Sequence, residues 1–235
     1  MRAQASMTGR FRRRAPDLAS AFVAVLLALV AAPCDAQAPK AGSASPAAAP
    51  SAAPPPAAGP VDVSGTVHVC SSCHGPDGRS VSSTFPRLAG QQKDYIETQL
   101  KAFRDKTRAD PHAKTYMWGM AARLGDPLIL GVADYYSSQK PVAGSPDSSP
   151  EAAAGAKIYT EGVAAKSVPA CKACHGDHAE GNSAIPRLAG QHRAYIERQL
   201  EAFASNARAN EVMHDNSKGL SAEEIRDVAA FVQTQ

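Results

Sequence analysis

Two stretches of the chain place apolar residues at helical intervals. From Gln91 to Arg104, Tyr95, Leu100 and Phe103 recur along one helix face, with Ile96 beside them. Near the C-terminus, Ser221 precedes Glu224 by three positions, which reads as a capping box, and Ile225, Val228, Ala229 and Val232 follow as an apolar stripe. Asp126 and Pro127 suit a cap and a first helical position. No segment alternates as a half-buried strand does, so the pattern predicts an all-α fold. Two regions depart from helical patterning. Leu18 to Ala32 is apolar except for Ser20, and shorter than the roughly twenty residues a spanning helix needs. Residues 39–60 are almost wholly Ala, Pro, Ser and Gly, a composition that cannot bury a core and predicts a disordered tether.

From Val61 onward the chain repeats itself. Phe85-Pro-Arg-Leu-Ala-Gly-Gln91 returns as Ile185-Pro-Arg-Leu-Ala-Gly-Gln191, Tyr95-Ile-Glu-Thr-Gln-Leu100 as Tyr195-Ile-Glu-Arg-Gln-Leu200, and Arg108-Ala109 as Arg208-Ala209. The repeat predicts two tandem helical domains, residues 61–140 and 151–235. They are joined by the Ser-, Pro- and Gly-rich linker 141–150.

Each copy contains Cys-x-x-Cys-His: Cys70, Cys73 and His74 in the first, Cys171, Cys174 and His175 in the second. That spacing lets two thiols add to the vinyl groups along one porphyrin edge, while the histidine coordinates the iron beneath the ring. A single Cys-x-x-Cys is shared with zinc knuckles and thiol redox motifs. Two copies, each followed by Gly, favour two covalently bound haem c groups. For the opposite axial position, aligning the last helices sets Leu124 against Leu220 and Ile129 against Ile225. The same offset sets Met117 against Met213, each in a predicted loop before the final helix. Met120 is the fallback for the first haem, and a core-filling role is the other use of these methionines. His68, His112, His178, His192 and His214 have no counterpart in the other copy and read as surface residues. Pro86 and Pro186 fall where a carbonyl is needed behind the proximal histidine, or they are simple turn prolines. Arg87, Arg187, Tyr95 and Tyr195 are candidates for haem propionates or for packing.

Charge and cysteine usage fit export. Arg10 to Arg14, the apolar run and the small residues after it have the parts of a secretory signal, residues 1–38, with cleavage after Ala36 or Ala38. Five arginines against two aspartates in residues 1–36 account for the +3 of the whole chain. Residues 61–140 carry ten Lys/Arg against eight Asp/Glu, and residues 151–235 nine against eleven. Nothing is basic enough to suggest nucleic acid. Of the five cysteines only Cys34 lies outside the haem motifs, and Pro33 before it argues against a lipidation site. No Ser-His-Asp pattern, phosphate loop or acid pair suggests hydrolysis.

Residues 61–235 resemble the di-haem cytochrome c4 group of periplasmic electron carriers. The likeness rests on the two Cys-x-x-Cys-His-Gly motifs, Phe/Ile-Pro-Arg-Leu-Ala-Gly-Gln, Tyr-Ile-x-x-Gln-Leu, and a Met seven residues before the Leu that opens the last helix. The resemblance implies two class I cytochrome c folds packed face to face, with His74/Met117 and His175/Met213 as axial pairs. It also implies single-electron transfer from a quinol-oxidising complex or another donor towards a terminal oxidase or another acceptor. Two departures from the pattern stand out. The segment before Met213 is four residues shorter than its counterpart, and the long tether points to membrane association through the N-terminal segment or to fusion with a larger complex. The alternative readings are enzymatic: a haem subunit of the flavocytochrome sulfide dehydrogenase type, or a peroxidase-like site in which one haem lacks its methionine.

Overall fold

The computed structural model describes residues 61–235. The expected signal, the tether and Cys34 lie outside that range. The described chain is helical, in the order α1 (Ser64–His74), α2 (Lys93–Arg104), a π-helical turn (Ala113–Met117), α3 (Trp118–Ala121), α4 (Asp126–Ser137), α5 (Pro150–Glu161), α6 (Lys172–His175), α7 (Arg193–Ala204), α8 (Glu211–Ser217) and α9 (Ala222–Thr234). Its only β pairing among the described residues is two isolated bridges, Val163 with Val168 and Asn182 with Ile185. No described helix is long and apolar enough to cross a membrane.

The helices predicted from periodicity form where expected. On α2, Ile96, Leu100 and Phe103 turn inward, and Ile96 and Leu100 meet Ile129, Val132, Ala133 and Tyr136 of α4. Ile129, Ala133 and Tyr136 are fully buried, and an Ile-sized side chain contributes roughly 1.5–3 kcal/mol when removed from water. The Ser221–Glu224 capping box closes with both of its hydrogen bonds. Pro127 occupies the first turn of α4, but Asp126 is itself helical, the cap position falls to Gly125, and no side chain caps this end.

Both copies of the Pro-Arg-Leu-Ala-Gly-Gln motif dock in the same way. Leu88 and Ala89 donate their N–H groups to the Gly78 carbonyl, and Leu188 and Ala189 donate theirs to Ala179. Gly90 then donates to the Tyr136 carbonyl of α4, and Gly190 to the Val232 carbonyl of α9. Both glycines have positive φ, 67° and 69°, which a side chain would resist.

The copies diverge at their first helices. In copy one, α1 runs straight through Cys70 and Cys73 to His74. In copy two, α5 stops at Gly162 (φ 75°), a loop intervenes, and the haem motif sits on the four-residue α6. The freed α5 lies along α9, and a side-chain carbon at Gly155 would fall on the Asp227 carbonyl of that helix. The distal segments also differ from the expected loops. Met117 ends the π-helical turn, and Met213 lies inside α8, which Asn210 caps by accepting the Met213 N–H at 2.9 Å. The four additional residues of copy one fall in the segment between Arg108 and Met117, which ends in the π turn.

Gly155→Leu is expected to destabilise the α5–α9 pair by about 3 kcal/mol, at the upper end of overpacking costs. Hydrogen exchange should show amide protection falling in α5 and α9 while α2 and α4 keep theirs.

Candidate functional site

The two predicted histidines occupy equivalent settings. His74 closes α1 and His175 closes α6, each followed by a glycine at positive φ (76° and 86°) that ends the helix at once. Each ring is buried. His74 donates Nδ1–H to the Pro86 carbonyl at 2.9 Å, and His175 donates Nδ1–H to the Pro186 carbonyl at 3.1 Å. A carbonyl can only accept, so the proton is on Nδ1 and Nε2 carries the free lone pair. Burial pushes both imidazoles below their ordinary pKa, outweighing the contrary pull of the carbonyl, and so favours the neutral form a metal requires.

The cysteines are unpaired with one another. Cys70 and Cys171 are half-buried, and Cys73 and Cys174 are exposed. Burial raises the Cys70 thiol, and it raises Cys171 to about 11. Neither half-buried thiol thus has the depressed pKa through which a thiol redox motif works. Among the described residues no group of three or more His, Cys, Asp or Glu converges as a metal-ion site, so the donor set a structural zinc needs is absent there.

In front of His74 lies a cleft with about 1050 Å³ of empty space, part of it open to solvent. Its walls carry Cys70 and His74 from α1, Leu100 and Phe103 from α2, Met117, and Val132 and Tyr136 from α4. Met117 is half-buried and packs on both apolar clusters of this copy, whereas Met120 is 47% exposed. Pro186 and Arg187 of the second copy line the same cleft, as do Pro86 and Arg87 of the first. In copy two Cys171 packs against the core of Ile158, Tyr159 and Val228. Met213 is half-buried on α8 and does not line the first cleft.

The copies meet through their repeated residues. Gln191 accepts the Arg87 N–H at 2.9 Å and donates to the Arg87 carbonyl at 3.0 Å; Gln91 does the same for Arg187, at 2.7 and 2.8 Å. Beside this clamp, Arg108 bonds Asp110 (2.9 Å), Gln99 (2.8 Å) and Gln199 (2.7 Å), and Arg208 bonds Gln199 (2.6 Å), Gln99 (2.7 Å) and the Tyr95 hydroxyl (2.9 Å). Trp118 donates Nε1–H to the Arg108 carbonyl at 2.9 Å and so ties the distal turn to this network. Asp110 is buried, and desolvation alone would raise its pKa; the charge and hydrogen bond of Arg108 prevail and hold it below the ordinary carboxylate range. Arg108 is paired with that carboxylate, buried Arg208 has only neutral hydrogen-bond partners, and Arg187 Nε is buried with no hydrogen-bond partner. Such a surplus of buried donors fits an anionic group such as a haem propionate.

Of the sequence candidates, the structure brings Cys70, His74, Pro86, Arg87, Tyr95 and Met117 of the first copy and Pro186, Arg187 and Tyr195 of the second to one cleft. Sequence reasoning missed Gln91, Gln191, Arg108, Arg208, Gln99 and Gln199 as site residues, although all six recur at a spacing of one hundred positions. The reading of the unmatched histidines as surface residues is corrected for His192. It is 8% exposed, donates Nε2–H to the Ser80 carbonyl at 2.9 Å across the interface, and lies near Arg87 and Arg198. His214 is half-buried and donates Nδ1–H to the Phe203 carbonyl at 2.8 Å, an anchor for α8.

Two cradles in tandem, each with an attachment motif and a carbonyl-held histidine, define a di-haem c-type cytochrome. A family model described as cytochrome c matches residues 67–136 and 152–235. Cytochrome c-552 of Acidithiobacillus ferridurans is 41% identical over 170 residues, covering 70% of this chain and 73% of that one. Cytochrome c4 of Azotobacter vinelandii is 36% identical over 177 residues, covering 70% and 83%. The solved structure of Acidithiobacillus ferrooxidans cytochrome c4 is 40% identical, with a TM-score of 0.68 over 71% of this chain and 98% of that chain. A thiosulfate dehydrogenase electron acceptor of Thiomonas intermedia is 34% identical over 174 residues, covering 71% and 78%. The chain belongs to the cytochrome c4 family: it is an electron-transfer protein with two class I cytochrome c domains and two covalently bound haem c groups.

Burial and the neighbouring Arg87 and Arg198 depress the His192 pKa. A histidine held neutral in this way contributes its full stability above its unfolded pKa of about 6.5 and loses it as pH falls towards the folded value. Urea midpoints should therefore drop between neutral pH and about pH 5, and His192→Gln, the residue at position 92 of copy one, should remove that part of the pH dependence.

Proposed function

We propose that this protein carries single electrons in the periplasm, with Cys70/Cys73 and Cys171/Cys174 as the haem thioethers. The axial pairs in this reading are His74/Met117 and His175/Met213. Each bound haem supplies reversible one-electron Fe(III)/Fe(II) chemistry. The chain's own residues hold that chemistry to electron transfer. Pro86 and Pro186 fix the tautomer and aim of the histidines, and Met117 and Met213 would hold the second iron position of each haem and so keep a substrate from it. Arg187 and Arg208, neither bonded to a carboxylate, provide the positive charge that a buried propionate would complement. The observation carrying this reading is the recurrence of the attachment motif with its buried, carbonyl-held histidine in both copies, with Met117 half-buried on the wall of the first cleft and Met120 exposed.

Residues 61–140 and 151–235 act as the two haem-bearing units, joined by 141–150. Export through residues 1–38 is supported by the basic, apolar and small-residue order of that segment, and by the attachment of c-type haem outside the bacterial cytoplasm. The segment 39–60 then serves as a tether, with membrane association as one use of it. The donor is a quinol-oxidising complex and the acceptor a terminal oxidase in the first reading. A dehydrogenase of a sulfur oxyanion is the second reading for the donor, favoured by the similarity to the Thiomonas intermedia electron acceptor.

Optical spectra with haem quantified per chain test the carrier reading. Two covalent low-spin haems, a weak near-infrared band from methionine-bound Fe(III), and no change on adding carbon monoxide are expected. Met213→Ala should make one of the two haems bind carbon monoxide and leave the other unchanged. A wild-type haem that already binds carbon monoxide would contradict the carrier reading in favour of catalysis.

A further inference from the structure

The clamp between the copies reaches further than packing. The Pro86 carbonyl and the Arg87 N–H belong to one peptide unit. Its oxygen accepts Nδ1–H of His74 at 2.9 Å, and its nitrogen donates to Gln191 Oε1 at 2.9 Å. The same chain occurs in the other direction: His175 Nδ1–H to the Pro186 carbonyl at 3.1 Å, and the Arg187 N–H of that peptide unit to Gln91 Oε1 at 2.7 Å. Each proximal histidine is thus connected, through one amide, to a glutamine of the opposite domain.

Both glutamines are buried and their orientation is determined by their partners. Gln191 Oε1 accepts a second backbone N–H, from His192 at 3.1 Å, while its Nε2 donates to the Arg87 carbonyl. Gln91 Oε1 likewise accepts from Gln92 at 2.9 Å, and its Nε2 donates to the Arg187 carbonyl. A flipped amide would set N–H against N–H and carbonyl against carbonyl, so the oxygen must face the peptide N–H. Each acceptor oxygen is thus also held by the N–H of the next residue in its own domain.

We propose that Gln91 and Gln191 are positioning residues for electron transfer, each setting the basicity of the axial histidine in the opposite domain. This rests on the di-haem carrier reading above. An amide that donates through its N–H carries more negative charge on its oxygen, because hydrogen bonds in a chain polarise one another. The Pro86 carbonyl therefore pulls harder on the His74 Nδ1–H when Gln191 is in place. A more imidazolate-like histidine is a stronger donor to iron and favours Fe(III) over Fe(II), which lowers the reduction potential. Domain pairing thereby tunes both haems by a crossed route.

The test is a pair of single variants, Gln191→Leu and Gln91→Leu, with potentials resolved for each haem by redox titration followed by NMR of the haem methyl groups. Gln191→Leu should raise the potential of the His74 haem and leave the His175 haem in place, and Gln91→Leu should do the reverse. The expected size is about a threefold change in the one-electron equilibrium constant, roughly 30 mV at 59 mV per decade. In the reduced protein, the His74 ring N–H resonance should move towards that of a weaker hydrogen bond in Gln191→Leu, with His175 unmoved. Gln191→Glu keeps the acceptor oxygen while losing the Nε2 donor, so it should not raise the His74 haem potential; it also serves if the leucine variant fails to fold. Equal shifts of both haems in every variant, or unmoved potentials in folded leucine variants, would overturn the role of the glutamines alone. A wild-type chain lacking two low-spin haems would overturn the carrier reading and this inference together.

Discussion

Gln91 and Gln191 each close two hydrogen bonds on the main chain of the opposite domain, and the geometry of both haem cradles leans on that exchange. An interface this polar holds only if its groups are paired, since a buried amide left without a partner costs about 1–3 kcal/mol. The requirement is met by reuse. One motif supplies the carbonyl behind the histidine, the arginine backbone that is gripped, and the glutamine that grips. Duplicating it creates a self-complementary surface, so two copies can pair about a pseudo-two-fold without any further invention. Buried networks of this kind favour a single arrangement over many.

The two halves are related but unequal, and the differences collect around the histidines and the interface. Asp110 neutralises Arg108, whereas Asn210 is exposed and spends its side chain capping α8. Position 92 is a glutamine that reaches the Glu180 carbonyl, and position 192 is a buried histidine on the Ser80 carbonyl. Phe85 stacks edge-on between His74 and Tyr116, a setting that Ile185 cannot reproduce. The tyrosine beside the first cysteine comes from α4 in copy one, as Tyr136, and from α5 in copy two, as Tyr159. Local charge, hydrogen bonding and burial are the protein's levers on a haem potential, so unequal surroundings give the carrier two unequal sites.

Much of this was legible before any coordinates. Cys-x-x-Cys-His is a local motif whose chemistry is set by its spacing, and the α2 stripe and the Ser221–Glu224 box are local signals that tertiary packing had no reason to override. Pro86 and Pro186 were candidates for the histidines, beside the reading as simple turn prolines, because they follow His74 and His175 at nearly the same offset; the structure supplies the hydrogen bonds. What the sequence left hidden is tertiary. A repeat shows that Gln91, Arg108 and their partners matter twice, but not that each copy's residues are the other copy's ligands. His192 looked like a surface residue because its hydrogen-bond partner, the Ser80 carbonyl, lies in the other domain. The Met117 and Met213 helices were read as loops because π-turn geometry and a four-residue deletion both blur the apolar period.

Crossed control of the haems requires the two domains to be one unit with a single relative placement. Pulsed EPR of the oxidised wild-type protein, giving the distribution of iron–iron distances, tests this most directly. A single narrow distribution, unchanged from pH 7 to 8 and broadened in a Gln91→Leu/Gln191→Leu double variant, is the expected result. A broad or two-component distribution in the wild type would mean that the domains move independently, and that the clamp does not govern the haems.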